Sequence, residues 1–214
     1  MLEEVRRAAP GYDLLVVDDG STDDTAKVVE TVAGVILLRL PFNLGIGGCM
    51  QTGYKYALRH DYDIAVQCDA DGQHPAEHLG ALVARVVDGS ADAVIGSRYV
   101  ANSDYIPSLG RRLGKSLLSR WIDYWVGGGI TDTTSGFRAF NRKAMALAAQ
   151  DYPEDYPEPE MIVILHKHGL KAVEIPVSMR PRQGGTTSIF PHRAAYYMIK
   201  VFLAVFIDVF RRYK

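Results

Sequence analysis

The chain has 214 residues, 48% hydrophobic and 23% charged, which fits a single globular unit with a sizeable core. Its formal net charge is −1, so no general basic field favours nucleic acid, and we expect no nucleic-acid partner. The charged residues at positions 1–7 predict a helix rather than a signal peptide. A site for an anionic ligand must therefore come from a local cluster of side chains.

Short apolar runs alternate with helical patterns along most of the chain. Strands are predicted at residues 14–17, 35–38, 64–68, 93–96 and 172–177. After the first helix, further helices are predicted over about residues 25–32, 48–59, 75–87, 113–126 and 158–168. This alternation predicts an α/β fold in which helices cover both faces of a mostly parallel sheet.

Polar residues follow several of these runs at the point where each predicted strand ends. They are Asp18, Asp19, Asp69, Asp71 and Arg98. Ligands of open α/β sheets bind beyond the carboxyl ends of the strands. The sequence therefore predicts that these side chains share one crevice.

Asp69 and Asp71 are separated by one residue after the third run. In an extended strand such residues point to one side, where two carboxylates suit Mg²⁺ or Mn²⁺. A solvated Asp-Gly turn is the alternative. The second acid pair, Asp18 and Asp19, favours the metal interpretation because it ends another strand in the same way.

The end of the chain differs from the rest. Residues 194–210 are strongly apolar, interrupted by Lys200 and Asp208, and a basic segment follows them. This stretch is short for a spanning helix, which needs about 20 apolar residues, and favours an amphipathic helix lying on a membrane surface. A core helix or an oligomer-interface helix is the alternative. We expect two units, residues 1–188 and 189–214.

Five motifs occur in order along the chain, and together they carry a resemblance. They are Val17-Asp18-Asp19-Gly20-Ser21, Asn43-Leu44-Gly45, Asp69-Ala70-Asp71-Gly72-Gln73-His74-Pro75, Gly96-Ser97-Arg98-Tyr99 and Asp132-Thr133-Thr134-Ser135-Gly136-Phe137. Each motif is weak alone, but the ordered set resembles a family-2 glycosyltransferase with a GT-A fold. The likeness is greatest to the polyprenol-phosphate, dolichyl-phosphate mannose synthase-like branch, and it covers nearly the whole chain.

The resemblance implies roles for particular residues. The nucleotide-sugar would be bound by Asp18, Asp19, Ser21, Asn43, Gly45 and Asp69. Mg²⁺ or Mn²⁺ would be held by Asp69, Asp71 and Gln73, and the catalytic carboxylate would be Asp132. The acceptor or its phosphate would be bound by Arg98, Arg112, Ser116, Ser135 and Arg182.

The chemical nature of the sugar acceptor determines which other groups the site requires. A hydroxyl nucleophile needs a general base, whereas a lipid phosphate is already ionised and needs cationic groups to position it. The basic cluster at residues 111–115 and the apolar C-terminal stretch favour a polyprenyl phosphate. Glu158 and Glu160 leave a hydroxyl acceptor open, and the alternative for them is a position at the start of a helix.

The expected activity is metal-dependent, inverting transfer from a UDP- or GDP-linked sugar to undecaprenyl or dolichyl phosphate. It would take place on the cytoplasmic face of the cell membrane, with the protein bound peripherally. A homo-oligomer or a membrane-protein partner is compatible with this expectation. The alternatives are transfer to a sugar hydroxyl in cell-envelope polysaccharide synthesis, and a non-catalytic relative that binds nucleotide-sugars.

Two further features of the sequence bear on the fold and on the site. The family normally begins with a strand for which we find no counterpart before residue 14, so we expect either an N-terminally incomplete chain with a gap in the sheet beside residues 14–17, which is the preferred interpretation, or another segment that fills this gap. His74 and His78 have the spacing of zinc ligands on a helix, but a surface helix start is the preferred interpretation.

Overall fold

The computed structural model describes residues 1–100, 109–181 and 194–211. The helices are α1 Leu2–Ala8, α2 Thr25–Glu30, α3 Gly45–Arg59, α4 Leu79–Val87, α5 Leu109–Val126, α6 Arg142–Gln150, α7 Pro157–Lys167 and α8 Ala194–Phe210. A 3₁₀ turn, Ala76–His78, precedes α4. The strands are β1 Leu14–Asp18, β2 Val35–Arg39, β3 Ile64–Gln67, β4 Ala93–Ser97, β5 Arg138–Asn141 and β6 Ala172–Pro176.

The described strands form two sheets. β1 and β2 pair in parallel, with Leu14 opposite Val35. The other four strands lie in the order β3-β5-β4-β6, in which β4 and β6 are parallel and β5 runs antiparallel to both of its neighbours. The predicted α/β class is confirmed, with one antiparallel strand in the middle of the larger sheet.

Helices cover both faces of the larger sheet. Successive residues of a strand point to opposite faces. In β4, Val94 packs into the cluster that contains α4, whereas Ala93 packs into the cluster formed with α3, α6 and α7. Ala139 and Phe140 of β5 divide between the same two clusters. The α1 residue Val5 packs in the α4 cluster, where the β1 residue Leu14 also lies.

The sequence did not predict β5 or α6. The strand is only four residues long and begins with a charged residue, Arg138, which is an atypical strand signal. α6 starts directly after it, at Asn141, whose side chain accepts a hydrogen bond from the Ala144 amide. Asn is a strong N-cap residue, so this helix start could have been predicted from the sequence.

α8 packs against α5 and α7. Val201 and Val205 are fully buried in a cluster with Leu118 and Ile122 of α5 and Ile162 of α7. In the part of the chain that the structure describes, no helix has both the length and the apolar character that crossing a bilayer requires.

Candidate active site

The loop after β1 is joined to the turn before α3 by its acidic side chains. Asp18 is buried, and its Oδ1 accepts a hydrogen bond of 2.9 Å from the Ser21 amide. The hydrogen bonds from Ser21 lower the pKa of Asp18, so this carboxylate is held ionised. Asp19 Oδ1 accepts a 2.7 Å bond from the Leu44 amide. These bonds fix the shape of the predicted nucleotide end of the site.

The backbone of the loop after β1 comes so close to the turn before α3 that glycine is required at position 20. Its φ of 75° lies in the left-handed region, and a Cβ on it would lie 2.9 Å from the Asn43 nitrogen. Asn43 Oδ1 accepts a 3.0 Å bond from the Gly45 amide. The structure therefore brings Asp18, Asp19 and Asn43 into one pair of contacting loops.

Asp69 and Asp71 lie in a turn rather than in a strand. β3 ends at Gln67, so the argument from strand alternation does not apply to Asp69 and Asp71. The Asp69 amide instead donates a 2.9 Å bond to His74 Nδ1. The Asp71 Oδ1 accepts a 2.9 Å bond from the Gln73 amide.

His74 stabilises this turn from the buried side. It is buried and stacks on Phe137, with ring centroids 4.8 Å apart. Burial lowers its pKa, so the ring is neutral, and Nδ1 is free of a proton to accept the Asp69 amide bond. The expectation of a surface position for His74 is wrong, because its stacking partner comes from a motif 63 residues later.

The side-chain oxygens of this turn are suitable ligands for a hard divalent cation. Asp69 and Asp71 supply carboxylate oxygens and Gln73 an amide oxygen, and the Asp69 side chain is 42% exposed. Mg²⁺ is commonly held by one or two carboxylates and completes its shell with water and phosphate. Among the described residues, no three His, Cys, Asp or Glu side chains form a metal-binding cluster on their own. The turn therefore suits a metal that arrives with a phosphate ligand.

Arg98 and Asp132 form a bidentate ion pair. Arg98 Nε lies 2.8 Å from Asp132 Oδ2, and its Nη2 lies 2.8 Å from Oδ1. The Arg98 amide donates a further 3.0 Å bond to Asp132 Oδ2. The Asp132 side chain has no exposed surface, and that of Arg98 is 21% exposed. The predicted catalytic carboxylate is thus bound to a predicted phosphate-binding side chain.

The turn after Asp132 packs directly against the turn that carries Asp69 and Asp71. A Cβ on Gly136 would lie 3.2 Å from both carboxylate oxygens of Asp69. Ser135 is buried, and its hydroxyl donates a 2.6 Å bond to the Gly96 carbonyl. The Ser135 hydroxyl is therefore engaged within the fold in this structure.

Arg138 is a buried cation that the sequence analysis missed. Its guanidinium donates to three backbone carbonyls, those of Ser135 at 2.7 Å, Glu158 at 2.9 Å and Thr133 at 3.3 Å. Its side chain is completely buried, and no acceptor in the described part of the chain bonds its Nη1. Arg138 thereby ties the segment after Asp132 to the first turn of α7.

Glu158 lies in that first turn, half-buried. Burial is the main cause that raises its pKa, Asp69 raises it further, and Arg138 and Arg98 lower it. The sequence left its role open between a base and a helix start, and the structure places it in the first turn of α7.

Three predicted residues cannot be placed by their side chains. The side chains of Arg112 and Ser116 lie outside the described part of α5, and Arg182 lies outside the described residues.

Comparison with solved structures gives the class of fold. A glucosyl-3-phosphoglycerate synthase from Mycobacterium tuberculosis, crystallised with Mn²⁺, UDP-glucose and phosphoglyceric acid, matches with a TM-score of 0.71. The match covers 99% of this chain and 76% of that one at 18% identity, and shows a shared GT-A-like fold.

Comparison of sequences gives the family. The model of "Glycosyl transferase family 2" matches residues 1–147. The chain is 31% identical to the polyprenol monophosphomannose synthase of Mycolicibacterium smegmatis, over 92% of this chain and 77% of that protein. It is also 31% identical to the undecaprenyl-phosphate mannosyltransferase of Micrococcus luteus, over 88% and 80%. The chain belongs to glycosyl transferase family 2, and it is a glycosyltransferase.

Proposed function

We propose that this glycosyltransferase moves a sugar from a UDP- or GDP-linked donor to a polyprenyl phosphate, with inversion and with a divalent metal. The observation that carries the proposal is the 31% identity, over 92% of the chain, with a protein named polyprenol monophosphomannose synthase. A third relative at 31% identity, from Methanococcus voltae, is named a UDP-N-acetylglucosamine–dolichyl-phosphate N-acetylglucosaminyltransferase; the match covers 78% of this chain and 74% of that protein.

The donor would bind along the carboxyl ends of β1 and β3. Asp18, Asp19 and the Asn43 turn would hold the nucleoside, because carboxylates accept hydrogen bonds from a base and a ribose. Asp69, Asp71 and Gln73 would hold Mg²⁺ or Mn²⁺, which offsets the charge of the diphosphate and makes it a better leaving group. The glucosyl-3-phosphoglycerate synthase that shares this fold was crystallised with Mn²⁺ and UDP-glucose and with Mg²⁺ and UDP, which supports the use of a divalent metal.

The acceptor phosphate would be positioned by Arg98. An acceptor oxygen attacks the anomeric carbon, and the bond from that carbon to the diphosphate oxygen breaks as the diphosphate takes the electron pair. A phosphate is already ionised near neutral pH, so this step needs orientation and charge stabilisation rather than a base. Asp132 holds Arg98 in place through two side-chain bonds. One direct displacement inverts the anomeric configuration.

A lipid acceptor requires a surface that meets the membrane. α8 exposes Ile199, Leu203, Phe206 and Phe210 at helical spacing. Aromatic residues of α5 pack beside them, with Trp121 stacked on Phe206 and Trp125 edge-on to Phe210. An apolar face rich in aromatic residues suits the interface of a bilayer. We infer peripheral binding through this α5–α8 face, on the cytoplasmic side of the membrane.

The test is transfer from radiolabelled UDP- and GDP-sugars to undecaprenyl or dolichyl phosphate in detergent, with and without Mn²⁺. We expect a lipid-linked monosaccharide that requires both the lipid phosphate and the metal, and that disappears with EDTA. Transfer to a sugar hydroxyl without lipid phosphate would overturn the acceptor. Donor binding without transfer to either acceptor would indicate a non-catalytic relative.

A further inference from the structure

Glu174 is a charged residue of β6 on a face of the sheet that helices cover. It lies opposite Ile95 in the parallel pairing of β4 and β6, so the two side chains share a face. Ile95 is fully buried in the apolar cluster that α5, α7 and α8 form on this face. Apolar packing alone therefore gives no reason for a carboxylate at this position.

Both carboxylate oxygens of Glu174 bond two consecutive residues, one of which is the predicted catalytic residue Asp132. Its Oε1 accepts a hydrogen bond from the Asp132 amide, and its Oε2 accepts a 2.8 Å bond from the Thr131 hydroxyl. Both partners are donors, and an ionised carboxylate supplies two acceptor atoms and no donor. Glu174 therefore fixes the peptide unit that joins Thr131 to Asp132.

The effect of Glu174 on Asp132 extends to Arg98. Asp132 bonds Glu174 with its amide, and its carboxylate accepts two bonds of 2.8 Å from the Arg98 guanidinium. A rotation of the Asp132 peptide unit would redirect the Asp132 side chain and displace the guanidinium with it. On the other side of the ion pair, the hydroxyl of Ser97 lies 3.4 Å from the Thr131 hydroxyl. Glu174 therefore stabilises the backbone around both partners of the ion pair.

A carboxylate is unsuitable as a ligand of the proposed acceptor itself. The acceptor phosphate is anionic, and like charges repel. That phosphate is already ionised, so it offers no proton for a general base to remove. The contribution open to Glu174 is the placement of the cation that binds the phosphate.

We propose that Glu174 is a positioning residue for the acceptor and that, through Asp132, it orients Arg98 toward the acceptor phosphate. This inference rests on the proposed function, because it takes Arg98 as the group that binds that phosphate. Orientation is important here, since a misplacement of about 1 Å can lower a rate roughly a hundredfold. The loops after β1 and β3, proposed to bind the donor, are not bonded by Glu174, so the nucleotide should bind independently of it.

The test compares transfer to the acceptor with binding of the nucleotide. Transfer from UDP-glucose, UDP-N-acetylglucosamine or GDP-mannose, whichever the wild type uses, is measured against the concentration of undecaprenyl or dolichyl phosphate. The affinities of UDP and GDP with Mn²⁺ are measured by calorimetry. We expect Glu174→Ala to lower kcat/KM for the lipid phosphate roughly tenfold or more, while the affinity for the diphosphate stays unchanged.

Glu174→Gln should restore most of the transfer. Its side-chain oxygen can still accept the bond from the Asp132 amide, and its NH₂ group can donate to the Thr131 hydroxyl oxygen. The geometry around Asp132 is then kept without the charge. A loss in Glu174→Gln equal to that in Glu174→Ala would require the charge itself and would overturn the positioning role.

Asp92→Ala is the matched control. The Asp92 carboxylate also accepts one backbone and one side-chain bond, from the Lys171 amide and the Asn141 side chain. Asp92 directly precedes β4, at the opposite end of the same two strands. Because both substitutions remove two bonds of this kind, both should lower the Tm, but Asp92→Ala should transfer sugar and bind diphosphate like the wild type.

The remaining outcomes are distinct. Equal transfer by folded Glu174→Ala and wild type would overturn the inference and leave the proposed function in place. A parallel loss of diphosphate affinity would overturn it as well, since it would indicate a general structural effect. If Glu174→Ala does not fold, Thr131→Val, which removes only the bond to Oε2, decides, and wild-type transfer by that variant would overturn the inference. Failure of the wild type to transfer sugar to either lipid phosphate would overturn the proposed function, and this inference with it.

Discussion

At the residue scale, the pairing of Arg98 with Asp132 changes how substitutions in this site must be interpreted. The sequence suggests that Asp132→Asn would reveal a hydroxyl acceptor and Arg98→Ala a phosphate acceptor. In the structure the two side chains share two bonds, so a change in one also releases the other. Single substitutions here report on the pair.

Loss of this ion pair should lower the free energy of unfolding substantially. Arg98→Ala leaves the fully buried Asp132 carboxylate without its cation, and we expect a loss of about 3 kcal/mol in the free energy of unfolding. Arg142→Ala, which breaks an exposed pair with Asp61, should cost less than about 1 kcal/mol. Urea unfolding measures both. A double variant, Arg98→Ala with Asp132→Asn, should recover part of the loss; strict additivity would contradict coupling between the two residues.

Gly136 offers a second residue-scale prediction. A methyl group at this position would press on both Asp69 carboxylate oxygens at 3.2 Å and displace them. We expect Gly136→Ala to weaken Mn²⁺-dependent nucleotide binding about tenfold, as do changes in the support of metal ligands. Gly80→Ala is the matched control, because a Cβ there meets nothing within 4 Å and alanine favours the α4 helix. Equal binding by both variants would remove Asp69 from the metal site.

The site residues that could be predicted from the sequence are those that follow from local patterns, such as the end of a strand. Asp18 ends a strand and Asp69 and Arg98 follow strands, and the strand-end rule predicted that they share one crevice. His74 and Arg138 were not found, because their partners come from distant segments: Phe137 for His74, and the Glu158 carbonyl for Arg138. No local pattern signals such contacts.

At the element scale, α7 and α8 bring the carboxyl groups of Glu160 and Asp208 close enough to interact. Burial, followed by the charge and hydrogen bond of Asp208, raises the pKa of Glu160 to about 8; Asp155 also raises it, and Arg211 opposes them. The folded chain therefore keeps a proton on Glu160 between about pH 5 and 8, whereas the unfolded chain has lost it.

Stability should fall as pH rises through this window, because the folded state binds more protons than the unfolded state. We expect the Tm of wild type to decrease from pH 5.5 to 8.5, and Glu160→Gln to flatten that dependence and raise the Tm at pH 8.5. Thermal unfolding at several pH values measures this. Glu154→Gln controls for loss of an exposed acid, and an unchanged slope in Glu160→Gln would contradict a raised pKa of Glu160 in the folded chain.

The α5–α8 face gives a prediction about membranes. Leu203 is 56% exposed, so Leu203→Glu should leave stability within about 0.5 kcal/mol. It should weaken co-sedimentation with anionic vesicles several-fold, since it places a charge in the apolar face. Val87→Glu, an exposed apolar position on α4, is the control and should sediment like wild type. Equal loss in both variants would indicate a general charge effect rather than a docking face.

Element boundaries were predicted well where apolar periodicity is strong. α8 was expected at residues 194–210 and lies there, and β1, β2 and β4 differ from prediction by one residue. β5 was missed because it lies between strands remote in sequence and carries a buried arginine at its start. Only the tertiary fold gives that guanidinium its three carbonyl partners.

At the scale of the whole molecule, the proposed site draws residues from both sheets. Asp18 ends a strand of the two-stranded sheet, and Asp69 follows a strand of the four-stranded sheet. A ligand that binds both would bind only the folded chain and would stabilise it. We expect the cognate nucleoside diphosphate with Mn²⁺, at about 100 times its Kd, to add about 2.7 kcal/mol to the free energy of unfolding. EDTA should remove most of this gain in a thermal-shift measurement; retention of the full gain would contradict metal-dependent binding.

The bidentate pair of Arg98 and Asp132 also closes a large excursion of the chain. The polypeptide leaves the larger sheet after β4 and re-enters it at β5, and the ion pair joins the two ends of the stretch between Arg98 and Asp132. That stretch includes α5, whereas the loops after β1 and β3, which we propose bind the donor, lie outside it. We therefore expect that this stretch can change in length or sequence between relatives without moving those loops. Under the proposed function, the acceptor end of the scaffold could then change while the donor end is kept.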